Sequence, residues 1–479
     1  MRGKVWELLL KPVKNNRILI WDTDKRGANK GYDAAVVNLL KQPESMDMLR
    51  GFLHSLPESN EVCVVLGNKY SYQAILGRSA GFFKSAYSLH KIKNVLKSAG
   101  FKRQRFYPLL PRGNNMFEIV LDNNGTGRKK SSVKDCLTNF PLMRFFLPAY
   151  AVVAGKNGTI GSNFIEACVQ AIGIGKPYKC IMGHPDTLLI ISDDKIVRIP
   201  LDHLSRVRCR INQIALKGLS RTMMAGFAPH FLSGGSFLSQ TYSCETKVLG
   251  VVVDEPIPRM EVLVQKAAEL ITRFHEETCK GIILNEAAYQ RLFGREFSIL
   301  KSYVNEEYKG RLGQVEEDLK RQVMGKELRV VWCHGDYKIE NVLFDDRNWE
   351  VSGVIDWDLS RENGLPLLDI FYLLLYKDSL FSKKSIGRVL RERALKMDFT
   401  ALERSVISAY AAQIKVSEEF WPALLVMFWV NHISRRCYQQ LLVEGIANSQ
   451  WIRDEVYSVI DSSLVLSSRK SSGSKTCLK

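Results

Sequence analysis

Three short apolar runs between residues 328 and 358 constrain the fold more than any other part of the chain, because each begins or ends beside polar residues. The runs and their polar neighbours are 328–332 before His334-Gly335-Asp336, 342–344 after Asn341, and 351–355 before Asp356. An Asp-Arg-Asn turn separates the second run from the third. Apolar runs bounded by turn residues are typical of strands. The stretch therefore predicts three strands, of which the last two form a β-hairpin.

The polar residues at the open end of this hairpin suit a magnesium ion. If the two strands pair symmetrically about their turn, Asn341 and Asp356 are directly opposed, with Cβ atoms about 4.5–5.5 Å apart. An amide and a carboxylate are hard oxygen donors, which Mg²⁺ takes together with water and phosphate oxygens. Asp336 lies in the loop before the hairpin and is free to accept a proton from a hydroxyl. The alternative interpretation is an ordinary hairpin with Asp and Asn at its turns.

A His-Gly-Asp sequence, an Asn five positions later and a strand ending in Asp together resemble the aminoglycoside phosphotransferase and choline kinase-like family, over about residues 160–465. The resemblance implies a two-lobed protein kinase-like fold that binds ATP and Mg²⁺. It implies Asp336 as the catalytic base, and Asn341 and Asp356 as ligands of Mg²⁺ that also hold the nucleotide. His334 is expected to shape the catalytic loop.

A β-hairpin is predicted upstream, where 187–191 and 195–200 flank an Asp-Asp turn. By the resemblance, a kinase-like N-lobe needs one cation on a strand to hold the ATP phosphates. Arg198 is placed for this, with Lys195 as its competitor and a solvated strand residue as the plain alternative. The partner expected for this cation on the next helix is Asn212, where kinases use Glu. An amide hydrogen-bonds a guanidinium without neutralising it, which puts full activity in doubt.

Strand 240–247 is expected to enter the link between the two lobes. The resemblance places its backbone, with Glu245 and Thr246, against the adenine of ATP. Helix 261–277 carries His275 where the family has a similar Leu-His pair, and we interpret this histidine as structural.

Asp369 follows Gly364-Leu365-Pro366, which also resembles the family, where the Asp braces the catalytic loop. Helices are predicted beyond it, at roughly 369–378, 384–395, 399–413, 417–443 and 449–466. The aromatic residues of 417–443 are interpreted as core in preference to a substrate platform.

Residues 1–155 predict a small α/β domain, with strand-like runs at 17–22 and 61–68. A helix is predicted after Ser88 as N-cap, ending at Gly100. This helix and the following strand weakly resemble the C-terminal half of a class I methyltransferase, over about 60–155.

The first strand, however, leads into 22–29, which lacks the close glycines that such enzymes use to bind S-adenosylmethionine. A contracted methyltransferase-like domain without cofactor is one interpretation, and an unrelated small α/β domain is the other.

The chain of 479 residues has a net charge of +18, and the excess lies mainly in its first third. Residues 1–155 contain 25 Lys and Arg against 11 Asp and Glu, so they carry +14 of that charge. Such a surface suits nucleic acid, an anionic lipid surface or an anionic glycan, and an ordinary basic surface is the alternative. Because no nucleic-acid-binding motif is present, a nucleic-acid partner is disfavoured.

Ten cysteines are scattered without a Cys-x-x-Cys pair, which argues against zinc and against a disulfide framework. The longest apolar run, 420–430, is too short to span a bilayer. We therefore expect a soluble, cytoplasmic protein.

Together these patterns predict an α+β fold, a two-lobed kinase-like domain preceded by a small α/β domain. The expected parts are 1–155 (basic α/β domain), 156–250 (N-lobe), 251–466 (helical C-lobe) and 467–479 (disordered tail). The leading hypothesis is an ATP- and Mg²⁺-dependent phosphotransferase acting on a hydroxyl of a small molecule or saccharide. The alternative is a catalytically impaired pseudo-kinase that binds nucleotide as a scaffold, placed in glycan biosynthesis only by fold-level analogy.

Overall fold

The computed structural model describes residues 18–21, 34–38, 46–56, 61–68, 86–112, 116–119, 149–156, 163–175, 178–183, 187–238, 240–439 and 450–462. The chain divides into two compact units, Met1–Cys209 with Leu232–Lys247, and Arg210–Phe231 with Val248–Lys479. The predictions for 22–29 and for the tail at 467–479 lie outside the described residues.

The first unit is built on one sheet of twelve strands. In chain order the strands are β1 Ile18–Trp21, β2 Ala34–Asn38, β3 Glu61–Asn68, β4 Ala86–Tyr87, β5 Arg103–Arg112, β6 Met116–Ile119, β7 Ala149–Gly155, β8 Lys179–Gly183, β9 Thr187–Ile191, β10 Lys195–Pro200, β11 Phe231–Phe237 and β12 Gln240–Thr246. Their order in the sheet is β1-β2-β3-β7-β5-β6-β8-β9-β10-β12-β11, with β4 beside β3. Strands β1 to β4 pair in parallel, and β7 lies antiparallel between β3 and β5. The predicted hairpin of β9 and β10 is confirmed.

Both faces of this sheet are buried where β3 and β7 run side by side. Cys63 and Val65 pack into the core of α3 Phe164–Ile172, whereas Val62 and Val64 pack into the core of the opposite face. That opposite core includes residues of two helices, α1 Met46–Ser55 and α2 Leu89–Ser98. Burial on both sides explains why 62–66 reads as a continuous apolar run without alternation. The predicted boundary at residue 155 falls inside this unit, and it stays a prediction.

The predicted ends of α2 are confirmed. The Oγ of Ser88 accepts the N–H of Lys91 at 3.2 Å, which satisfies one of the free donors at the helix start. Gly100 follows the helix at φ +88°, the left-handed conformation that glycine adopts without steric cost.

The second unit is mainly helical. After α4 His203–Leu219, which begins in the first unit, its helices are α5 Met260–Thr278, α6 Glu286–Tyr289, α7 Arg295–Lys301, α8 Glu306–Val323, α9 Leu368–Ser382, α10 Ile386–Glu392, α11 Ala401–Ile414, α12 Trp421–Gln439 and α13 Gln450–Ile452. Six strands form two small sheets, β13 Val251–Val252 with β16 Val342–Phe344 and β17 Val351–Val354, and β14 Lys280–Ile283 with β15 Glu327–Cys333 and β18 Arg361–Gly364. No described helix is both long and apolar enough to cross a membrane.

Helix α5 holds the strands of the second unit through its buried face. Phe274 packs against Trp332 of β15 and against Trp357, with ring centroids 5.9 and 5.8 Å apart. On α12, Trp421 and Trp429 are buried, as their interpretation as core residues expects. The small sheets are therefore fixed to the helices beneath them, and the loops at the strand ends inherit that rigidity.

Candidate active site

The loop that carries Asp336 leaves the end of β15 and turns sharply at Gly335. Gly335 has φ +87°, a conformation that L side chains rarely adopt. A Cβ at this position would also collide with the carbonyl oxygen of Leu359. Glycine is therefore required here both by the backbone conformation and by the close approach of a second chain segment.

The buried carboxylate of Asp369 holds this loop from below. One oxygen accepts the N–H of His334 at 2.7 Å, and the other accepts the N–H of Gly335 at 2.9 Å. The Nε2 of His275 lies 3.3 Å from the first oxygen. Asp369 thus receives two backbone donors and lies beside a buried imidazole, and this is the geometry of the brace that the resemblance implies.

Two further side chains lie behind Asp369. The hydroxyl of Tyr410 accepts the N–H of Leu367 at 3.3 Å and lies 2.8 Å from Nδ1 of His275. The Nε2 of His275 has no hydrogen-bond partner among the described residues, so its contact with Asp369 is electrostatic. Cys333 is close to both groups, but its thiol donates to the carbonyl of Leu365 at 3.1 Å. The buried imidazole thus lies between Tyr410 and Asp369, and the interpretation of His275 as structural agrees with this position.

Burial alone would raise the pKa of Asp369. The close contact with His275, the electrostatic effect of the His334 ring and the N–H of Gly335 outweigh burial, so the pKa of Asp369 lies below its usual value. The carboxylate consequently stays ionised at neutral pH and keeps its role as acceptor.

His334 is held neutral by its own partners. Its Nδ1 accepts the N–H of Asp336 at 3.2 Å, and its Nε2 lies 2.9 Å from the carbonyl oxygen of Ile355. One nitrogen must accept and the other must donate, which is the pattern of a neutral imidazole. Burial lowers the pKa of His334 in the same direction, against the charges of Asp369 and Asp336. His334 therefore shapes the loop, as expected, and both ring nitrogens are engaged in doing so.

Asn341 fixes the carboxylate of Asp336. The Nδ2 of Asn341 donates to the backbone oxygen of Asp336 at 2.9 Å and to its Oδ2 at 3.1 Å. These bonds orient the amide so that Oδ1 is left as the oxygen that a metal ion can take. Lys338 reaches the same carboxylate, with its Nζ 3.8 Å from Oδ2.

The predicted opposition of Asn341 and Asp356 is wrong by one residue. Val342 pairs with Val354, which sets Asn341 opposite Ile355, and the N–H of Ile355 donates to the carbonyl of Asn341 at 2.9 Å. The register shifts within the hairpin because Ser352 is an extra residue on one strand, with its hydroxyl bonded to the carbonyl of Leu249. Asp356 lies one residue further on.

Asp356 adopts φ +72° and ψ 55°, an unusual left-handed conformation for a residue other than glycine. Such strain is concentrated at functional sites in proteins. An amide oxygen from Asn341 and a carboxylate from Asp356 remain a hard donor set that fits Mg²⁺.

In the first unit, the predicted cation Arg198 has a partner that the sequence analysis did not identify. Its Nε and Nη2 both lie 3.0 Å from Oε1 of Glu245. Arg198 is opposite Ser243 in the pairing of β10 with β12, so Glu245, two residues along, projects from the same face. This register of β10 against β12 is the feature that could have identified Glu245 as the partner of Arg198. The Glu245 side chain is almost fully buried in this ion pair, and the adenine contact predicted for Glu245 and Thr246 stays a prediction.

The described part of the basic first third concentrates its cations on and after α2. Residues 62–117 contain ten Lys and Arg and no Asp or Glu. Lys91, Lys93 and Lys97 on α2 are exposed, as are Lys102 and Arg103 after it. We call these five residues the α2 basic surface.

Residues 259–401 match the model of the phosphotransferase enzyme family. The matched segment contains Asp336, Asn341, Asp356 and Asp369. None of the curated proteins compared with the chain matches it. The family match confirms the resemblance to phosphotransferases that was predicted for this part of the chain.

Solved structures of aminoglycoside phosphotransferases are similar to the chain at low sequence identity. APH(3'')-Id from Streptomyces rimosus has 16% identity and a TM-score of 0.35, covering 54% of this chain and 95% of that protein. A thermostable mutant of APH(4)-Ia has 13% identity and a TM-score of 0.42, covering 62% and 97%. A 3'-phosphotransferase of type VIII has 19% identity and a TM-score of 0.36, covering 55% and 98%. At these values the solved structures add no argument about the site.

Replacing the loop brace tests its contribution. Asp369→Asn removes one of the two acceptor oxygens and places an amide N–H₂ against backbone donors, so we expect a loss of roughly 2–5 kcal/mol of unfolding free energy. The pKa of Asp369 is lowered in the folded state, so its contribution is complete above the unfolded pKa and is lost as pH falls through the folded pKa. The difference in unfolding free energy between wild type and variant should become smaller below about pH 4.

Urea unfolding midpoints from pH 7 downward measure both effects. Asp398→Asn is the matched control, because Asp398 is an exposed carboxylate of the same unit. Two results would contradict the assigned role of Asp369. One is an equal loss of unfolding free energy in Asp369→Asn and Asp398→Asn, and the other is a difference between wild type and Asp369→Asn that does not change with pH.

Proposed function

We propose that the protein transfers the γ-phosphate of ATP to a hydroxyl of a small molecule or saccharide. The observation that carries this proposal is the fixed geometry of the loop, in which Asn341 orients the Asp336 carboxylate and Asp369 holds the backbone beneath it. A carboxylate held in this way is ready to accept a proton without first reorganising.

In the proposed reaction, the acceptor oxygen attacks the γ-phosphorus and its proton passes to Asp336. The bond from the γ-phosphorus to the bridging oxygen breaks, and ADP leaves with that electron pair. Asn341 and Asp356 would hold Mg²⁺, which neutralises charge on the phosphates when it is bound. Arg198 is the predicted cation for the ATP phosphates, and Glu245 keeps its guanidinium in place.

A pseudo-kinase scaffold is the alternative. One of the two observations in its favour, the amide at Asn212, is weaker evidence than the sequence indicated. The absence of a carboxylate at Asn212 mattered because Arg198 then had no counter-ion. Glu245 supplies that counter-ion from the neighbouring strand. We therefore favour an active enzyme, and we place it in the cytoplasm, where ATP is available and thiols stay reduced; none of the seven cysteines whose side chains are described forms a disulfide.

Nucleotide binding is measured by thermal stabilisation. Mg·ATP should raise the melting temperature, since a ligand that binds the native state stabilises it by RT ln(1 + [L]/Kd), or about 2.7 kcal/mol at 100 times Kd. Asp356→Asn should remove the part of the shift that depends on Mg²⁺, while it keeps a residue type that tolerates the left-handed backbone. Asp336→Asn should keep the shift and lose phosphate transfer.

Asp346→Asn is the control for charge removal, because Asp346 is an exposed carboxylate in the turn of the same hairpin. A scaffold without activity would give wild-type behaviour for Asp336→Asn. The absence of any shift at millimolar Mg·ATP would refute the nucleotide site itself.

The choice between the two candidate cations is tested separately. Arg198→Ala should abolish the shift with Mg·ATP, whereas Lys195→Ala should leave it intact. Glu245→Gln should weaken the shift, because its amide no longer neutralises and holds the guanidinium. Each shift is measured against the variant's own melting temperature without ligand, since Arg198→Ala also leaves Glu245 buried without a counter-ion. Loss of the shift in Lys195→Ala instead would reverse the assignment.

Binding of an anionic macromolecule by the α2 basic surface is a second candidate function. The specific observation is a stretch of 56 residues, 62–117, without a single carboxylate, in which three exposed lysines, Lys91, Lys93 and Lys97, share one helix. Replacing Lys91, Lys93 and Lys97 together by Gln should weaken heparin binding and flatten its dependence on salt. Replacing three lysines of the second unit, Lys309, Lys396 and Lys415, is the control. Equal salt slopes for both triple variants would show an ordinary basic surface.

A further inference from the structure

Beside the Asp336 loop lies a small cavity of about 20 Å³, between α9 and α12. Its lining includes Gly335, Asp369, Tyr372, Asn431, His432 and Arg435. All of these residues belong to the second unit, and the first two are part of the loop and its brace. A group bound here would lie next to the proposed site of phosphate transfer.

Two buried polar atoms in this cavity have no partner among the described residues. They are Nε2 of His432 and Oδ1 of Asn431, on side chains that are 5% and 4% exposed. Buried polar groups are nearly always hydrogen-bonded, and each exception needs an explanation. Asn431 and His432 are therefore the residues of the cavity lining that call for a polar partner.

The cations on this side of the loop are not neutralised by direct ion pairs. Arg435 donates to the carbonyl oxygen of Gly335, which is uncharged and uses one of its five N–H donors. Arg436 is exposed, and neither arginine forms an ion pair with a described residue. Helix α12, which carries both, contains no Asp or Glu.

The carboxylates nearby are already engaged. Glu340 accepts the hydroxyl of Tyr376 at 2.6 Å and lies 3.2 Å from Nζ of Lys338. Glu296 pairs with Arg361 at 2.9 Å. Asp369 accepts backbone N–H groups of the loop, and Asp336 is the proposed base.

The pKa of His432 is affected by the same excess of positive charge. Burial lowers the pKa of its imidazole well below the usual value, and the charges of Arg436, Arg435 and Lys338 lower it further. The ring is therefore neutral at physiological pH. It contacts Tyr372 edge-on at 5.6 Å between centroids, and Tyr372 lies against Asp336.

We propose that the acceptor carries an anionic group, a carboxylate or a phosphate, near the hydroxyl that is phosphorylated, and that Arg435 and Arg436 bind it while His432 and Asn431 bind a neighbouring polar group. The proposal rests on the proposed phosphotransferase function and specifies its substrate class. An acidic sugar has this chemistry. A polycationic aminoglycoside does not, because two unpaired arginines would repel it.

The test uses the full-length protein with Mg·ATP and matched acceptor probes: glucuronate, glucose 6-phosphate, neutral glucose and a polycationic aminoglycoside. Binding is measured by the additional thermal shift, and transfer by the release of ADP. We expect at least one anionic probe to bind at least about tenfold more tightly than glucose, in keeping with a charge-assisted contact. The two anionic probes distinguish a carboxylate site from a phosphate site.

Arg436→Gln should raise KM for the anionic probe about tenfold or more and leave KM for glucose unchanged. His432→Gln, which keeps a polar group in the cavity, should have a smaller effect than Arg436→Gln. Arg321→Gln is the control, since Arg321 is an exposed arginine on α8, and it should change neither KM.

Equal affinity for glucose and both anionic probes, preference for the aminoglycoside, or no binding of either anionic probe at millimolar concentration would each overturn the proposal. In all three cases a shift with Mg·ATP that Asp356→Asn abolishes would leave the proposed phosphotransferase function standing. If Mg·ATP itself gives no shift, it is the proposed function that fails, and the substrate class falls with it.

Discussion

The carboxylate of Asp369 is the contact on which the candidate site depends. A loop that exposes a base cannot satisfy its own backbone donors, because its N–H groups point away from any strand partner. Two of these donors, on His334 and Gly335, are instead bound by one buried carboxylate. Hydrogen bonds to an ionised acceptor are about twice as strong as neutral ones. The loop can therefore keep a left-handed glycine and a partly exposed Asp336 without losing its order.

This brace is itself held by the packing of the second unit. His275 on α5 lies 3.3 Å from Asp369 and 2.8 Å from the hydroxyl of Tyr410 on α11, and both side chains are fully buried. Phe274, next to His275, packs against Trp332 at the end of the strand that leads into the loop. The polar cluster and the aromatic core thus fix the same short segment from two sides.

The sequence predicted best where local pattern and tertiary structure agree. The strand before Asp336, the hairpin that follows it and the ends of α2 depend on apolar runs, turn residues and caps, all of which are local. The one-residue error in the hairpin arose at its turn, where Phe344 pairs with Val351, two residues short of the assumed symmetry. The bulge at Ser352 restores one of these two residues, and it is stabilised by a bond to Leu249 more than a hundred residues earlier. The counter-ion of Arg198 lies 47 residues away and is set by strand register. Neither distance is encoded in local periodicity, so only the three-dimensional structure identifies these contacts.

The position of that counter-ion also changes how the first unit should work. In protein kinases the strand cation pairs with a Glu on a helix, and movement of the helix controls whether the pair forms. Here Arg198 and Glu245 lie on adjacent strands of one sheet, so the pairing is fixed by the backbone hydrogen bonds between β10 and β12. Helix α4, which carries Asn212, does not have to move for the guanidinium to be held. If Arg198 serves the nucleotide phosphates as proposed, its pairing with Glu245 does not depend on the position of a helix.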